Sequence, residues 1–250
     1  MIDISIVIVT YNSSSDIKDA IDSLYENLRM SFEIIIVDNN STDDTVSIVR
    51  KYPEINLILN NRNKGFSFAN NQAFQVAKGK YILIFNPDLT LTQNSNIGGL
   101  IDILEQNRSI GLVAPRLLYG DGRIQESVRG FPTPQVQLIR SLKLDPLFKS
   151  WNFYNKYMMN IEAISNDIMV DWVIGAFMLI SKENLFKIGL FDDQYFMYFE
   201  DADLCLTLKK YGLSICYTPR FSAIHRYKRE SVKKLFSKLK WIHFKSGLRF

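Results

Sequence analysis

Residues 4–9 form an apolar, β-branched run that ends at Thr10-Tyr11-Asn12, and this run constrains the fold more than any other feature. A strand without polar alternation is buried on both faces, the condition of a strand inside a parallel sheet. Ser13 to Ser15 then offer helix caps, and Ile17, Ala20, Ile21 and Leu24 carry helical spacing. The pattern recurs. A strand over 34–37 precedes a helix over 42–50, with Asp43 and Asp44 in its first turn. A strand over 55–59 precedes a helix over 66–77, and a strand over 81–85 precedes a helix over 97–104. Strands alternating with helices predict an α/β chain with a parallel, doubly wound sheet. Ligands bind such sheets beyond the carboxyl ends of their strands. Those ends are Thr10-Tyr11-Asn12, Asp38-Asn39-Asn40 and Asn86-Pro87-Asp88.

From about Pro115 the regularity breaks, with turn signals at Tyr119-Gly120-Asp121-Gly122 and Phe131-Pro132-Thr133-Pro134. Residues 135–167 carry no usable motif. A strand-like run over 172–180 precedes the acidic cluster Glu200, Asp201 and Asp203, after which a helix runs to Gly212. One continuous domain over 1–225 is expected, with a nucleotide-binding half over 1–114 and an acceptor half over 115–225. Residues 226–250 form a basic tail.

Charge is distributed unevenly. The tail carries nine Lys or Arg against the single acid Glu230, a local charge of +8 within a total of +4, so the other residues sum to −4. Val232, Leu235, Phe236, Leu239 and Ile242 follow helical spacing among Lys233, Lys234, Lys238, Lys240 and Lys245. Two readings stand: an amphipathic helix on an anionic membrane surface, or a helix packed on its own domain. No apolar run approaches the roughly 20 residues of a membrane span, and the start shows no basic leader. Cys205 and Cys216 form no metal-type pair. A cytoplasmic, peripheral location is expected, with no nucleic-acid partner.

No glycine occurs before Gly65. That argues against a dinucleotide-binding Gly-rich turn, a P-loop and a nucleotidyltransferase, all of which need backbone close to phosphate at the first turn. Asp38 is placed to accept hydrogen bonds from a base or ribose, or to cap a helix. Tyr11 offers a ring for stacking, or is an edge aromatic. Asn86-Pro87-Asp88 is a common turn tripeptide, but at a strand end its carboxylate can meet a diphosphate-bound Mg²⁺ or Mn²⁺. His225, one of two histidines, is a second ligand or a packed ring. Glu200, Asp201 and Asp203 follow a run of aromatics. Acids at a helix start suit its dipole, while carboxylates buried beside rings need a partner or a function.

These residues resemble family 2 of the glycosyltransferases, which implies the GT-A fold. The resemblance rests on the series Ile6-Val7-Ile8-Val9-Thr10-Tyr11-Asn12, Val37-Asp38-Asn39-Asn40-Ser41, Asn63-Lys64-Gly65-Phe66 with Asn70, and Asn86-Pro87-Asp88. Residues 172–178, Gly189-Leu190-Phe191-Asp192, residues 196–205 and Ile224-His225 are similar to the rhamnosyltransferase branch. That branch uses dTDP-L-rhamnose in O-antigen and other cell-surface polysaccharide assembly. The resemblance implies that Thr10, Tyr11, Asn12, Asp38 and Asn40 hold the nucleoside. Asn63, Gly65, Phe66, Asn70 and Asn86 would shape the donor pocket. Asp88 would bind the metal with His225, and Asp201 would be the base, with Glu200 its rival. Arg129, Trp172, Gly175 and Ala176 would lie near donor sugar or acceptor, which a polyprenyl diphosphate would carry. The wider superfamily's Asp-x-Asp is here Asn86-Pro87-Asp88, leaving one carboxylate. The competing functions are transfer from a UDP-hexose and non-catalytic binding of a sugar nucleotide or glycan.

Overall fold

A computed structural model describes residues 2–142, 144–148, 150–227 and 238–250. Strand β1 (Ile4–Thr10) leads to helix α1 (Ile17–Asn27), β2 (Phe32–Asp38), α2 (Thr45–Val49), β3 (Asn56–Leu59), α3 (Phe66–Val76) and β4 (Tyr81–Phe85). A short β5 (Leu89–Leu91), α4 (Ile97–Gln106), β6 (Ile110–Leu118) and β7 (Val128–Arg129) follow. Three helices then occupy the stretch without motifs: α5 (Pro134–Ser141), α6 (Asp145–Phe148) and α7 (Asn152–Met158). The chain closes with β8 (Ile168–Val170), β9 (Trp172–Val173), β10 (Phe177–Ser181), α8 (Lys182–Lys187), α9 (Glu200–Lys210), β11 (Ser214–His225) and α10 (Lys238–Arg249).

The main sheet runs in the order β3-β2-β1-β4-β10-β6-β11-β5, with β8 added to β11. The strands β3, β2, β1 and β4 are parallel, as the alternating pattern predicts. Strand β10 enters antiparallel between β4 and β6, so the sheet is mixed. Period-two alternation divides the buried strands between two cores. Ile4, Ile6 and Ile8 pack with α1 and α4, through Ile17, Leu24, Leu100 and Leu104. Val7, Ile35 and Val37 face the other side and pack with α3 and α9, through Ala69, Phe74, Leu204 and Leu208. A third, smaller cluster of Val136, Ile139, Tyr154 and Tyr157 holds α5 against α7.

Three expectations are corrected, and one strand is added. The helix over 42–50 is shorter, because Asp43 Oδ1 accepts from the Thr45 amide and hydroxyl and stops the helix extending back. Regular structure does not end at Pro115, which lies inside β6 beside Thr218 of β11. The neighbouring strand shifts register between Thr218 and Ser222, where Pro219 sits, so neither proline interrupts a regular ladder. The run over 172–180 is two strands, broken at 174–176. Ser214–His225 is a strand of 12 residues that the hydrophobic pattern did not reveal.

The topology brings distant chain ends together. Thr10 and Asp38 are register partners at the carboxyl ends of β1 and β2. Because β10 runs antiparallel to β4, its start meets the end of β4, where Phe177 pairs Phe85 and the Asn86 amide donates to the Ala176 carbonyl at 2.9 Å. The end of β11 lies on β5, with His225 opposite Leu89. At Gly65, which starts α3 with φ +90°, a Cβ would sit 2.4 Å from the Phe196 carbonyl oxygen. Only glycine permits that approach, and the Phe66 amide then donates to the same oxygen at 2.7 Å.

Candidate active site

The ends of β1 and β2 form one laced rim. Thr10 Oγ1 donates to Asp38 Oδ1 at 2.8 Å, and the Ser41 amide donates to Asp38 Oδ2 at 2.8 Å. Asp38 is therefore a buried turn-former as well as a strand-end acid. Asn12 and Asn40 take left-handed backbone (φ 52° and 67°), which asparagine tolerates better than most residues. Asn12 Oδ1 accepts from the Thr42 amide at 2.8 Å, closing the rim. Tyr11 stands exposed on it. Asn39, to which sequence reasoning gave no role of its own, is buried and holds the next loop. Its Nδ2 donates to the Gly65 carbonyl at 3.1 Å, and its Oδ1 accepts from Asn60 Nδ2 at 3.0 Å. Asn63 Oδ1 accepts from the Gly65 amide at 2.9 Å. Asn70 Nδ2 donates to the Phe66 carbonyl at 2.9 Å, while its buried Oδ1 has no protein partner.

Across the sheet break lies the acidic pair. Tyr198 and Phe199 both adopt left-handed backbone (φ 71° and 68°), an unfavourable state for aromatic residues. Packing holds them there: the His243 ring of α10 lies 5.1 Å from each of their rings, and the Phe250 ring lies 5.7 Å from Phe199. The turn delivers Glu200 and Asp201 to the start of α9, both buried, with Asp201 only 8% exposed. Asp201 Oδ2 accepts from the Gly175 amide and Oδ1 from the Ala202 amide, each at 2.8 Å. A Cβ on Gly175 would sit 3.3 Å from Asp201 Cβ and 3.6 Å from Phe66 Cε1, so the three residues share one small volume.

Burial pushes the Asp201 carboxyl up to about 6, opposed by the two amide N–H groups. The Trp172 indole N–H, also opposed to the shift, lies buried close by without reaching hydrogen-bond geometry. Glu200 is raised well above the usual carboxylate range, first by burial and then by the charge of Asp201. Among the described residues its Oε2 has no hydrogen-bond partner. Two amide donors hold the Asp201 carboxylate, while burial and the neighbouring charge oppose ionisation of Glu200. Asp203 is raised by partial burial and lies among Asp192, Lys210 and Arg249.

Asn86-Pro87-Asp88 is a turn, with the Leu89 amide donating to the Asn86 carbonyl at 3.1 Å. Asp88 Oδ1 lies 3.2 Å from His225 Nε2, and His225 is 2% exposed. Among the described residues that nitrogen has no hydrogen-bond partner, while Nδ1 lies 2.7 Å from Gln125 Oε1. Among the described residues no cluster of three or more His, Cys, Asp or Glu forms a metal cage. The oxygen and nitrogen of Asp88 and His225 are a two-ligand set suited to a hard divalent cation that keeps substrate phosphates in its shell. Arg129 pairs with Trp172 across β7 and β9. Its guanidinium is engaged by Glu126 at 3.2 Å and lies 5.8 Å from the Tyr157 ring.

Helix α10 packs on this domain: Ser246 Oγ donates to the Met197 carbonyl at 2.8 Å, and Arg249 pairs with Asp192 at 2.7 Å. The expected lipid-facing residues Val232, Leu235 and Phe236, with Lys233 and Lys234, lie outside the described residues. No helix of the described residues is long and apolar enough to cross a membrane.

The family model described as "Glycosyl transferase family 2" matches residues 5–183. The chain belongs to that family. It is 32% identical to "Rhamnosyltransferase WbbL" of Escherichia coli K12, over 93% of this chain and 88% of the relative. It is 26% identical to the Mycobacterium tuberculosis "N-acetylglucosaminyl-diphospho-decaprenol L-rhamnosyltransferase", over 88% of this chain and 75% of the relative. The solved "Mannosyltransferase PcManGT from Pyrobaculum calidifontis in complex with GDP-Man and Mn2+" superposes with a TM-score of 0.62 at 18% identity. That match covers 99% of this chain and 64% of the solved one. The fold of this glycosyltransferase is GT-A, and the sheet order and the close approaches at Gly65 and Gly175 are its particular form of it.

The buried acids give a stability prediction. The Glu200 pKa is raised above its unfolded value near 4.3, so the native state binds this proton more tightly than the unfolded chain. The cost of Glu200 is absent below that value and grows as pH rises toward the native pKa. Thermal unfolding of Glu200→Gln should show a stability gain over wild type that increases as pH rises above about 4.3, by up to about 1.4 kcal/mol per pH unit. A difference independent of pH contradicts the raised Glu200 pKa.

Proposed function

We propose that this enzyme moves L-rhamnose from dTDP-L-rhamnose to a hydroxyl of a polyprenyl-diphosphate-linked saccharide, by a single inverting displacement that uses Mg²⁺ or Mn²⁺, in cell-surface polysaccharide synthesis. The observation that carries the mechanism is Asp201: buried, ionised at neutral pH, and aimed by two backbone amides. The names of the E. coli and mycobacterial relatives support rhamnose, and the mycobacterial name supports the lipid-linked acceptor.

Residues 1–114 act as the nucleotide half, where the rim of Thr10, Tyr11, Asn12, Asp38 and Asn40 takes the nucleoside. Asn63, Gly65, Phe66, Asn70 and Asn86 shape the donor pocket. Residues 115–225 act as the acceptor half, with Trp172, Gly175, Ala176 and Arg129 toward the sugars. Asp201 removes the proton of the acceptor hydroxyl, whose oxygen attacks the anomeric carbon as the bond to the diphosphate oxygen breaks. Asp88 and His225 are the residues that would hold a divalent ion, which would supply positive charge against the departing diphosphate.

The reaction is tested by nucleoside diphosphate release across a panel of nucleotide sugars. dTDP-L-rhamnose should turn over and UDP-glucose should not, EDTA should abolish the rate, and Asp201→Asn should lower it by at least about a hundredfold while donor binding survives. Turnover in EDTA, a preference for the UDP-hexose, or a fully active Asp201→Asn each contradicts its part.

Residues 226–250 hold the enzyme on the cytoplasmic face of an anionic membrane, in a form corrected by the packing of α10. Trp241, Phe244 and Leu248 are exposed along that helix, and a Cβ on its Gly247 would sit 2.7 Å from Gln137 Oε1 of α5. The net +8 of this segment suits an anionic leaflet, at about 1 kcal/mol per basic residue near the surface. Wild type should sediment with vesicles containing phosphatidylglycerol. The triple variant Trp241→Ser, Phe244→Ser, Leu248→Ser should bind them at least about tenfold more weakly. Equal binding of the two proteins assigns the helix to packing alone.

A further inference from the structure

Gln125 is 4% exposed and lies 100 residues before His225, on the segment that returns against the end of β6. Its amide donates to the Leu117 carbonyl at 2.8 Å, which fixes the backbone, and its side-chain Oε1 reaches Nδ1 of His225 at 2.7 Å. Asp88 and His225 explain how a cation is held, but not why the imidazole presents a lone pair rather than an N–H to it. We infer that Gln125 is a positioning residue that keeps the imidazole proton of His225 on Nδ1, so that Nε2 offers its lone pair beside Asp88. The inference rests on the divalent-ion reading of Asp88 and His225 given above.

A neutral imidazole carries one N–H, and the hydrogen bond made by one ring nitrogen decides the state of the other. Facing a carbonyl oxygen at 2.7 Å, Nδ1 is the donor. Nε2 is then an acceptor, buried, without a hydrogen bond, and 3.2 Å from an Asp88 oxygen that is also an acceptor. Two acceptors turned to one point, with no proton between them, form a cation site. The opposite tautomer would leave a buried N–H outside hydrogen-bond geometry, an unfavourable state. The Tyr227 ring, 5.5 Å from the imidazole, covers its remaining side. A neutral amide sets this tautomer without adding a third negative group beside the diphosphate. Carboxylates and carbonyls play the same part behind metal-bound histidines generally.

The direct test is the ¹⁵N spectrum of the full chain labelled at histidine, at pH 8 and without metal. The His225 signals are assigned by their loss in His225→Asn. The expected result is a protonated Nδ1 and a bare Nε2. A protonated Nε2, or a doubly protonated ring, overturns the inference. Mn²⁺ binding, read by electron paramagnetic resonance with dTDP present, supplies a second measure. Gln125→Leu should bind about 10- to 100-fold more weakly than wild type. Gln125→Glu, which also accepts from Nδ1–H, should stay close to wild type. Wild-type affinity in Gln125→Leu, or equal loss in both variants, overturns the inference while leaving the metal reading intact. If the wild-type chain binds no Mn²⁺, the metal reading fails, and this inference falls with it whichever tautomer is found.

Discussion

The Gly175 amide donates to Asp201 rather than to a neighbouring strand, and much of the site depends on that one hydrogen bond. It accompanies the break between β9 and β10 and admits the α9 terminus to the space a side chain would fill. It also aims a carboxylate that burial would otherwise neutralise. The desolvation that raises Asp201 and the two amides that lower it act in opposition. The balance leaves a carboxylate that is ionised at neutral pH yet more basic than a solvated one. Glu200 is raised by the same burial and by the charge of Asp201.

The sheet makes this possible by turning the second half of the chain back on the first. In a wholly parallel sheet the carboxyl ends of the strands collect loops that follow strands. Here β10 enters antiparallel, so the loop preceding it arrives at that same edge and carries Gly175 and Ala176 with it. Strand β11 reaches the edge at His225. The strained aromatic turn at Tyr198 and Phe199 packs against the His243 ring of α10 and the Phe250 ring, so these rings help to set where Glu200 and Asp201 lie.

The parallel half was legible because its residues are decided locally. Tyr81–Phe85 has the expected bounds, and β1 to β3 differ by one or two residues at their ends. What was not legible is long-range. β6 continues through Pro115 because the register shift in β11 makes room for it, a compensation absent from either segment read alone. β11 is irregular and partly polar, and its strand character comes from three different neighbours. Asp88, His225 and Asp201 were named from motifs, and the structure brings Asp88 beside His225 and Asp201 beside Gly175 and Phe66. Gln125 left no local signal, since a glutamine after a turn has no pattern and its partner is 100 residues away.

The central claim is that one ionised carboxylate, Asp201, activates the acceptor directly, with no covalent sugar–enzyme intermediate. The most direct measurement is the anomeric configuration of the transferred sugar, read by nuclear magnetic resonance of the product and compared with the donor. A single displacement predicts inversion. Retention would contradict the account, because a single displacement by the acceptor oxygen opposite the leaving diphosphate inverts the anomeric carbon.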